Sequence, residues 1–410
     1  MIKFVKNELY IEQTPLSSIA KKYGTAAYVY SKNQIIDNFR YYRKALNNRE
    51  SLICFACKTN SNGRILKILA DQGAGADTTS GGEIFRCINA GFNPSKIVYA
   101  GVGKTAEEIE YALKSKILMF NVESYEELEA IDKIAKKLKM KAKIAFRVNP
   151  NVDPDTHSYI VTGKKGTKFG IPYEEAFEAY LIASKMDNIQ AVGVHTHIGS
   201  QILDIAPFIL AAKKIKNLTD KLKKAGIVLE YINCGGGIGI KYSSQDKALN
   251  PKLLTDELFK IFDKNTKFIF EPGRFIIGNA GHLLAKIIYR KISGDKSFLI
   301  TDAGMNDLIR PTLYEAYHEI IPLKKTSAKK IKTNVVGPIC ESGDFMGKDR
   351  MLPILRQGEL ILVKCAGAYG ASMSSEYNSR PLLAEIMVDG KKAVLIRKRA
   401  TYKDLILNEI

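Results

Sequence analysis

Short apolar runs alternate with amphipathic stretches through the first two thirds of the chain. The runs "LICFACK" (52–58), "GADTT" (75–79), "IVYAG" (97–101), "LMFNV" (118–122), "KIAFRVN" (143–149), "AVGVHTHIG" (191–199), "YINCGGG" (231–237) and "FIFEPG" (268–273) suit strands. Between most of them lie segments such as "NGRILKILADQ" and "AEEIEYALKSK", whose apolar residues recur three and four apart, as in helices with one buried face. This alternation predicts an α/β protein of parallel β/α units. Eight units predict a closed (β/α)8 barrel of TIM type rather than an open sheet. The earlier run "AYVYS" (27–31), with the helical "KNQIIDNFRYYRKAL" behind it, reads as the lead-in.

After about residue 272 the pattern changes. "HLLAKIIYRKI", "KSFLITDAG", "TNVVGPICESGD", "GELILVKCAGAYG" and "LLAEIMVDGKKAVLIRKR" are strand-like and broken by Gly-, Pro- and Asp-containing turns. They predict a second, mainly β C-terminal domain. The expected division is a barrel over residues 26–272 and a β-rich domain made of 1–25 and 273–410, with the first 25 residues pairing with the tail. A chain of 410 residues is long for a single core, in keeping with two domains.

Composition narrows the function classes. With 46% hydrophobic and 26% charged residues the chain has the balance of a globular protein. No run approaches the roughly 18 apolar residues of a membrane span, and "MIKFVKNELYIEQ" lacks the apolar core of a signal peptide. Six scattered cysteines fit free thiols in a reducing compartment, so the expected location is cytoplasmic. Cys54 and Cys57 have redox or metal-site spacing, but inside one strand they would face opposite ways. The net charge of +19 invites a nucleic-acid reading, yet the basic residues are spread along helices such as "AAKKIKNLTDKLKKAG". The one basic run, "PLKKTSAKKIKT" (322–333), reads as a solvated loop. A surface attracting small anions is the economical reading, with neither nucleic acid nor membrane as partner.

The chemistry-bearing residues fall at predicted strand ends, where barrel enzymes build their sites. Lys58 closes the first strand. A buried ammonium is costly unless paired or discharged, and a discharged lysine is a nucleophile. Asp77 lies in the second strand; His195, His197 and Ser200 lie on or just after the sixth; Gly235, Gly236 and Gly237 follow the seventh; Glu271 and Arg274 end the eighth. The glycine run leaves backbone N–H groups able to meet an anion such as phosphate. It lacks the dinucleotide spacing, and "GVGKT" (101–105) is no P-loop because Val98 stands where the first glycine belongs. His195 and His197 could share a face as a metal pair with Cys234 or Glu271 as a third ligand, but no H-x-x-x-H or paired-Cys spacing supports such a set. An imidazole stacked on a planar cofactor is the competing use. Glu271 could pair with Arg274 or with a protonated ring nitrogen. A lysine nucleophile, a phosphate cradle and a carboxylate for a pyridinium together describe pyridoxal 5′-phosphate.

"FACKTN", "GADTTSGGE", "TGKKGTKFGI", "HTHIGSQ", "NCGGGIG", "EPGR", "RPTLYEAYH", "GPICESGD" and "GAYGASMSSEYNSRP" follow one another over nearly the whole chain. In this order they resemble the diaminopimelate decarboxylase family, of the alanine-racemase-like (fold type III) class of pyridoxal-phosphate enzymes that also holds ornithine and arginine decarboxylases. The resemblance implies that Lys58 carries the cofactor covalently, that His197 stacks on its ring and that Glu271 pairs with its ring nitrogen. It implies that Ser200, Gly237 and Tyr369 help to hold the phosphate and that Asp77 neighbours the cofactor lysine. Arg274, Arg310 and Tyr314 would take the substrate's far carboxylate and Glu341 its far amino group. Cys340 and Glu341 would reach in from the second subunit of a homodimer with shared active sites, with Cys340 a candidate proton donor. Thr59, where many relatives have alanine, and the "GVGKT" loop depart from the family pattern at positions not expected to touch the chemistry.

The implied reaction is decarboxylation of meso-2,6-diaminopimelate to L-lysine, the last step of lysine biosynthesis. Alternatives within the class act on carboxynorspermidine, ornithine or arginine. Ornithine has a distal amine and no distal carboxylate, whereas two arginines with a tyrosine and a glutamate match a zwitterionic end. A non-catalytic pyridoxal-phosphate carrier would be a bare barrel, and an RNA-binding protein would leave the strand-end cluster unexplained.

Overall fold

The computed structural model describes residues 2–153, 162–163 and 166–410; Lys164 and Lys165 of the "TGKKGTKFGI" motif lie outside the described residues. The chain divides into two compact units: Phe39–Ile240 with Lys247–Phe275, and Met1–Asn38 with Lys241–Asp246 and Ile276–Ile410.

The first unit is a closed barrel of eight parallel strands: β1 (Ser51–Ala56), β2 (Gly75–Thr78), β3 (Ile97–Tyr99), β4 (Met119–Val122), β5 (Ala142–Asn149), β6 (Ile189–His195), β7 (Tyr231–Asn233) and β8 (Lys267–Phe270). Each strand pairs with the next, and β8 pairs with β1. The strands are buried nearly throughout, which explains why they read as continuous apolar runs. Inside the barrel Cys54, Val98, Met119, Ala145, Val192 and Ile269 form an apolar layer. Burial of side chains of this kind stabilises by about 1.5–3 kcal/mol each for the larger ones.

Polar residues at the C-terminal ends of the strands start the next helix. Ser80, Thr105 and Ser124 each accept a hydrogen bond from the backbone N–H three residues on, capping Gly81–Asn89, Ala106–Lys114 and Tyr125–Leu138. Glu108, which completes a capping box with Thr105, also accepts the N–H of Gly81 at 2.8 Å, tying two neighbouring loops at the barrel mouth.

The second unit contains a sheet in the order Phe345–Pro353, Lys330–Val336, Lys296–Thr301, Gly281–Ser293, Ala27–Ser31, Ala384–Asp389 and Lys392–Arg397. The N-terminal strands join this unit: Leu9 N–H donates to the Leu323 carbonyl, and Leu9, Ile11, Leu16 and Ile19 share a core with Val29, Leu284, Leu362 and Ile386.

Three local expectations differ from the structure. Ala27–Ser31 is no lead-in to the barrel but lies between Gly281–Ser293 and Ala384–Asp389, and a run buried on both faces looks alike in either sheet. The basic run 322–333 is not all loop. From Lys330 it enters a strand whose lysines 330 and 332 face solvent while Thr333 is buried. Finally, β1 stops at Ala56, so Cys57 begins a 3-10 turn. Its thiol lies 3.8 Å from that of Cys87, while Cys54 stays in the interior layer.

Candidate active site

Lys58 stands in the turn Cys57–Thr59 directly after β1, with about a third of its side chain exposed. Its ammonium pairs with Asp77, which is wholly buried on β2, the strand paired with β1. Burial, and secondarily Glu271, push the Asp77 carboxyl up to about 7, against the pull of Lys58. The cluster thus holds a basic group and an acid that titrates near neutrality.

Glu271, just past β8, is buried. Its Oε1 accepts Nδ2 of Asn233 at 2.6 Å and Nδ2 of Asn121 at 3.3 Å, while Oε2 lies 3.2 Å from Nε2 of His195. The histidine approach is close but poorly aligned for a hydrogen bond. Burial opposes ionisation of Glu271, but His195, Lys58 and Asn233 outweigh it and hold the carboxyl well below the usual range.

His195 and His197 do not act as a pair. β6 ends at His195, and His197 turns to the glycine run, where its Nδ1 accepts the N–H of Gly236 at 3.1 Å. Burial, reinforced by Arg147 and Lys58, holds its pKa well below the ordinary histidine value. A neutral ring that accepts at Nδ1 carries its proton on Nε2.

The glycines are needed partly for backbone packing. A Cβ on Gly235 would strike the Thr196 carbonyl, and one on Gly236 the Glu271 carbonyl; Gly237 has φ +105°. Gly235 N–H is spent on Asn233 Oδ1. Among the described residues, no acceptor takes the N–H of Gly237 or Ile238. Nearby, Arg274, also buried, donates from Nη2 to Ser200 Oγ at 2.9 Å. The barrel unit therefore brings together Lys58, Asp77, His197, Ser200, Gly235, Gly236, Gly237, Glu271 and Arg274 at one end of the strands.

Several residues of this end were missed in the sequence. Asn121 and Asn233 sit in apolar strands with almost no exposure, and a buried amide requires partners, which is the signal that could have found them. Arg147, level with His195 on the neighbouring strand, pairs with Glu123 at 2.8 Å and stacks on Phe169. Lys104 of "GVGKT" is a buried cation bonded to Glu127 and to the carbonyls of Gly101 and Asn121.

In the other unit Arg310 opens the short helix Arg310–Tyr314 and is buried. It bonds His318 Nε2 at 2.8 Å and lies over the Tyr242 ring. Tyr314 is half-buried. Cys340 and Glu341 are exposed; the N–H of Cys340 donates to Asn378, and the Tyr377 hydroxyl to Glu341 at 3.4 Å. Tyr369 adopts φ +57°, an unusual backbone for a bulky residue.

The barrel, its strand-end lysine and its buried ionised glutamate define a pyridoxal-dependent decarboxylase. Residues 32–278 match the family described as "Pyridoxal-dependent decarboxylase, pyridoxal binding domain". The chain is 48% identical to the diaminopimelate decarboxylase of Aquifex aeolicus, over 99% of this chain and 96% of the relative. It is 46% identical to that of Zymomonas mobilis, over 100% and 99%. The crystal structure of diaminopimelate decarboxylase from Helicobacter pylori complexed with L-lysine superposes with a TM-score of 0.93 at 43% identity, covering 96% of this chain and 99% of that one. The chain belongs to the diaminopimelate decarboxylase family.

Proposed function

We propose that this carboxy-lyase converts meso-2,6-diaminopimelate to L-lysine and carbon dioxide with pyridoxal 5′-phosphate, using the residues below. The observation that carries the assignment of roles is the convergence, at one end of a single barrel, of the Lys58–Asp77 pair and the buried Glu271 held by Asn121 and Asn233. The residues fit the cofactor. A basic lysine suits its aldehyde, an ionised buried carboxylate suits its ring nitrogen, and the N–H groups of Gly237 and Ile238 suit its phosphate. Buried polar atoms without partners among the described residues, including Asp77 Oδ1, Asn121 Oδ1 and Thr196 Oγ1, cluster at the same strand ends.

When bound, the cofactor supplies an electron sink for the bonding pair left behind as the carboxylate departs. Lys58 holds it covalently through Nζ and is kept in place by Asp77. The neutral His197, fixed in tautomer by Gly236, would pack against the cofactor's ring. Glu271 keeps the ring nitrogen's proton in place, which deepens the sink. Ser200, Gly235, Gly236, Gly237 and Tyr369 hold the phosphate end.

Arg274, Arg310, Tyr314 and Tyr369 bind the distal carboxylate of the substrate, and Glu341 binds its distal ammonium. This pairing of charges favours diaminopimelate over ornithine or arginine. Cys340 delivers a proton from Sγ to the carbon that lost the carboxylate. Cys340 and Glu341 serve the site of a second subunit in a homodimer, a reading supported by their exposure on the single chain. The six free thiols support a cytoplasmic location. The assignment is tested by borohydride reduction of the holoenzyme followed by peptide mapping. A pyridoxyl group on Lys58, and its loss together with turnover by on the order of a thousandfold or more in Lys58→Ala, is expected. The label on another lysine would overturn it.

A further inference from the structure

A buried carboxylate can do its work toward a ring nitrogen only if it stays ionised and points one way. Burial alone would protonate it, and a free rotor would spread its lone pairs over several directions. Glu271 meets both demands through neighbours from three different strands. Asn121 on β4 and Asn233 on β7 both donate to Oε1, and His195 at the end of β6 faces Oε2. None of the three is more than 1% exposed. Asn233 is itself aligned, since its Oδ1 accepts Gly235 N–H at 2.9 Å, and it is the register partner of His195 across the β6–β7 pair. The backbone closes the arrangement, with Glu271 N–H donating to the Gly235 carbonyl at 2.8 Å.

A carboxylate offers two lone pairs on each oxygen. The two amides use those of Oε1, and His195 faces one on Oε2. We infer that His195, Asn121 and Asn233 are positioning residues that clamp Glu271 as a carboxylate in one orientation, leaving a single lone pair of Oε2 for the protonated ring nitrogen of the cofactor. The part about the ring nitrogen rests on the role proposed for Glu271 above; the clamp itself does not. Nε2 of His195, 3.2 Å from Oε2 but out of line for a hydrogen bond, acts in this scheme as a close polar neighbour that blocks that side of the oxygen. The charged groups facing the cluster are Lys58, which favours the ionised Glu271, Asp77, which Glu271 disfavours as an anion, and Arg147 with Glu123 beside His195.

The clamp is tested without the cofactor. Infrared difference spectra at pH 6 between each apoprotein and its Glu271→Gln derivative isolate the Glu271 carboxyl. The native background is expected to give a carboxylate band, and the His195→Phe/Asn233→Leu background a protonated carboxyl band. A carboxylate band in both would overturn the inference. If the double variant does not fold, Asn233→Leu and His195→Phe are read singly, and unchanged carboxylate bands in both would again overturn it. In the holoenzymes, the single variants are expected to lower kcat by roughly tenfold with KM within about twofold. His195→Gln, which keeps a polar neighbour, is expected to recover most of the loss, a rescue that a purely structural histidine would not give. If Glu271→Gln leaves turnover unchanged while the infrared result holds, the clamp stands and the ring-nitrogen role falls.

Discussion

At the scale of single residues, the burial of Asp77, against the pull of Lys58, makes stability depend on pH in a direction opposite to most ion-paired carboxylates. Burial lifts the Asp77 carboxyl to about 7, from an ordinary value of about 4 in an unfolded chain. Between those values the folded protein binds the proton that the unfolded chain has lost, so stability falls as pH rises through the window. In the apoprotein, Asp77→Asn should remove this fall. Denaturant unfolding at pH 5 and pH 7.5 is the check, with a smaller decline expected in the variant and an equal one contradicting the account. Lys58, Asp77 and Glu271 were legible in the sequence because each is a charged residue at or near the end of an apolar run, where burial forces a question. Asn121 and Asn233 were not. An asparagine in a strand is a mild irregularity, and only the closed barrel brings residues of β4 and β7 to one carboxylate of β8.

At the scale of elements, the glycine run after β7 is both a loop and a spacer between backbones. An anion cradle alone does not explain its glycines: at 237 φ is +105° and a side chain would meet the Gly199 carbonyl, and at 236 it would meet the Glu271 carbonyl. Gly236→Ala should therefore cost about 1–3 kcal/mol of stability by overpacking and displace the N–H that orients His197. Denaturant titration together with cofactor affinity checks this; a variant with native values of both would mean that the loop yields freely. The alternating pattern revealed eight barrel strands because parallel strands covered on both faces leave long apolar runs between helices. The same feature hid the true place of Ala27–Ser31, since its five buried residues carry no mark of which sheet covers them. Lys330–Val336 was half hidden by lysines on its solvent face.

At the scale of the whole molecule, the basic balance of the chain concerns the anions it meets more than the fold it adopts. The proposed homodimer, in which "CESGD" (340–344) of one subunit serves the other, predicts complementation. A mixture of inactive Lys58→Ala and Glu341→Ala chains should regain about a quarter of native activity per site when hybrids form at random, since one hybrid site in two is intact. No recovery in hybrids verified by mass would mean that each chain completes its own site. That test leaves the choice of substrate open, because it depends on how a carboxylate and an amine at the distal end are received together by Arg274, Arg310, Tyr314 and Glu341. Substrate choice is therefore measured most directly by product release from meso-diaminopimelate, ornithine, arginine and lysine, each offered to the holoenzyme at one salt concentration and identified by chromatography. Lysine formed from meso-diaminopimelate far faster than putrescine, agmatine or cadaverine from the other three is the result predicted. Faster release of any of those three amines would contradict it.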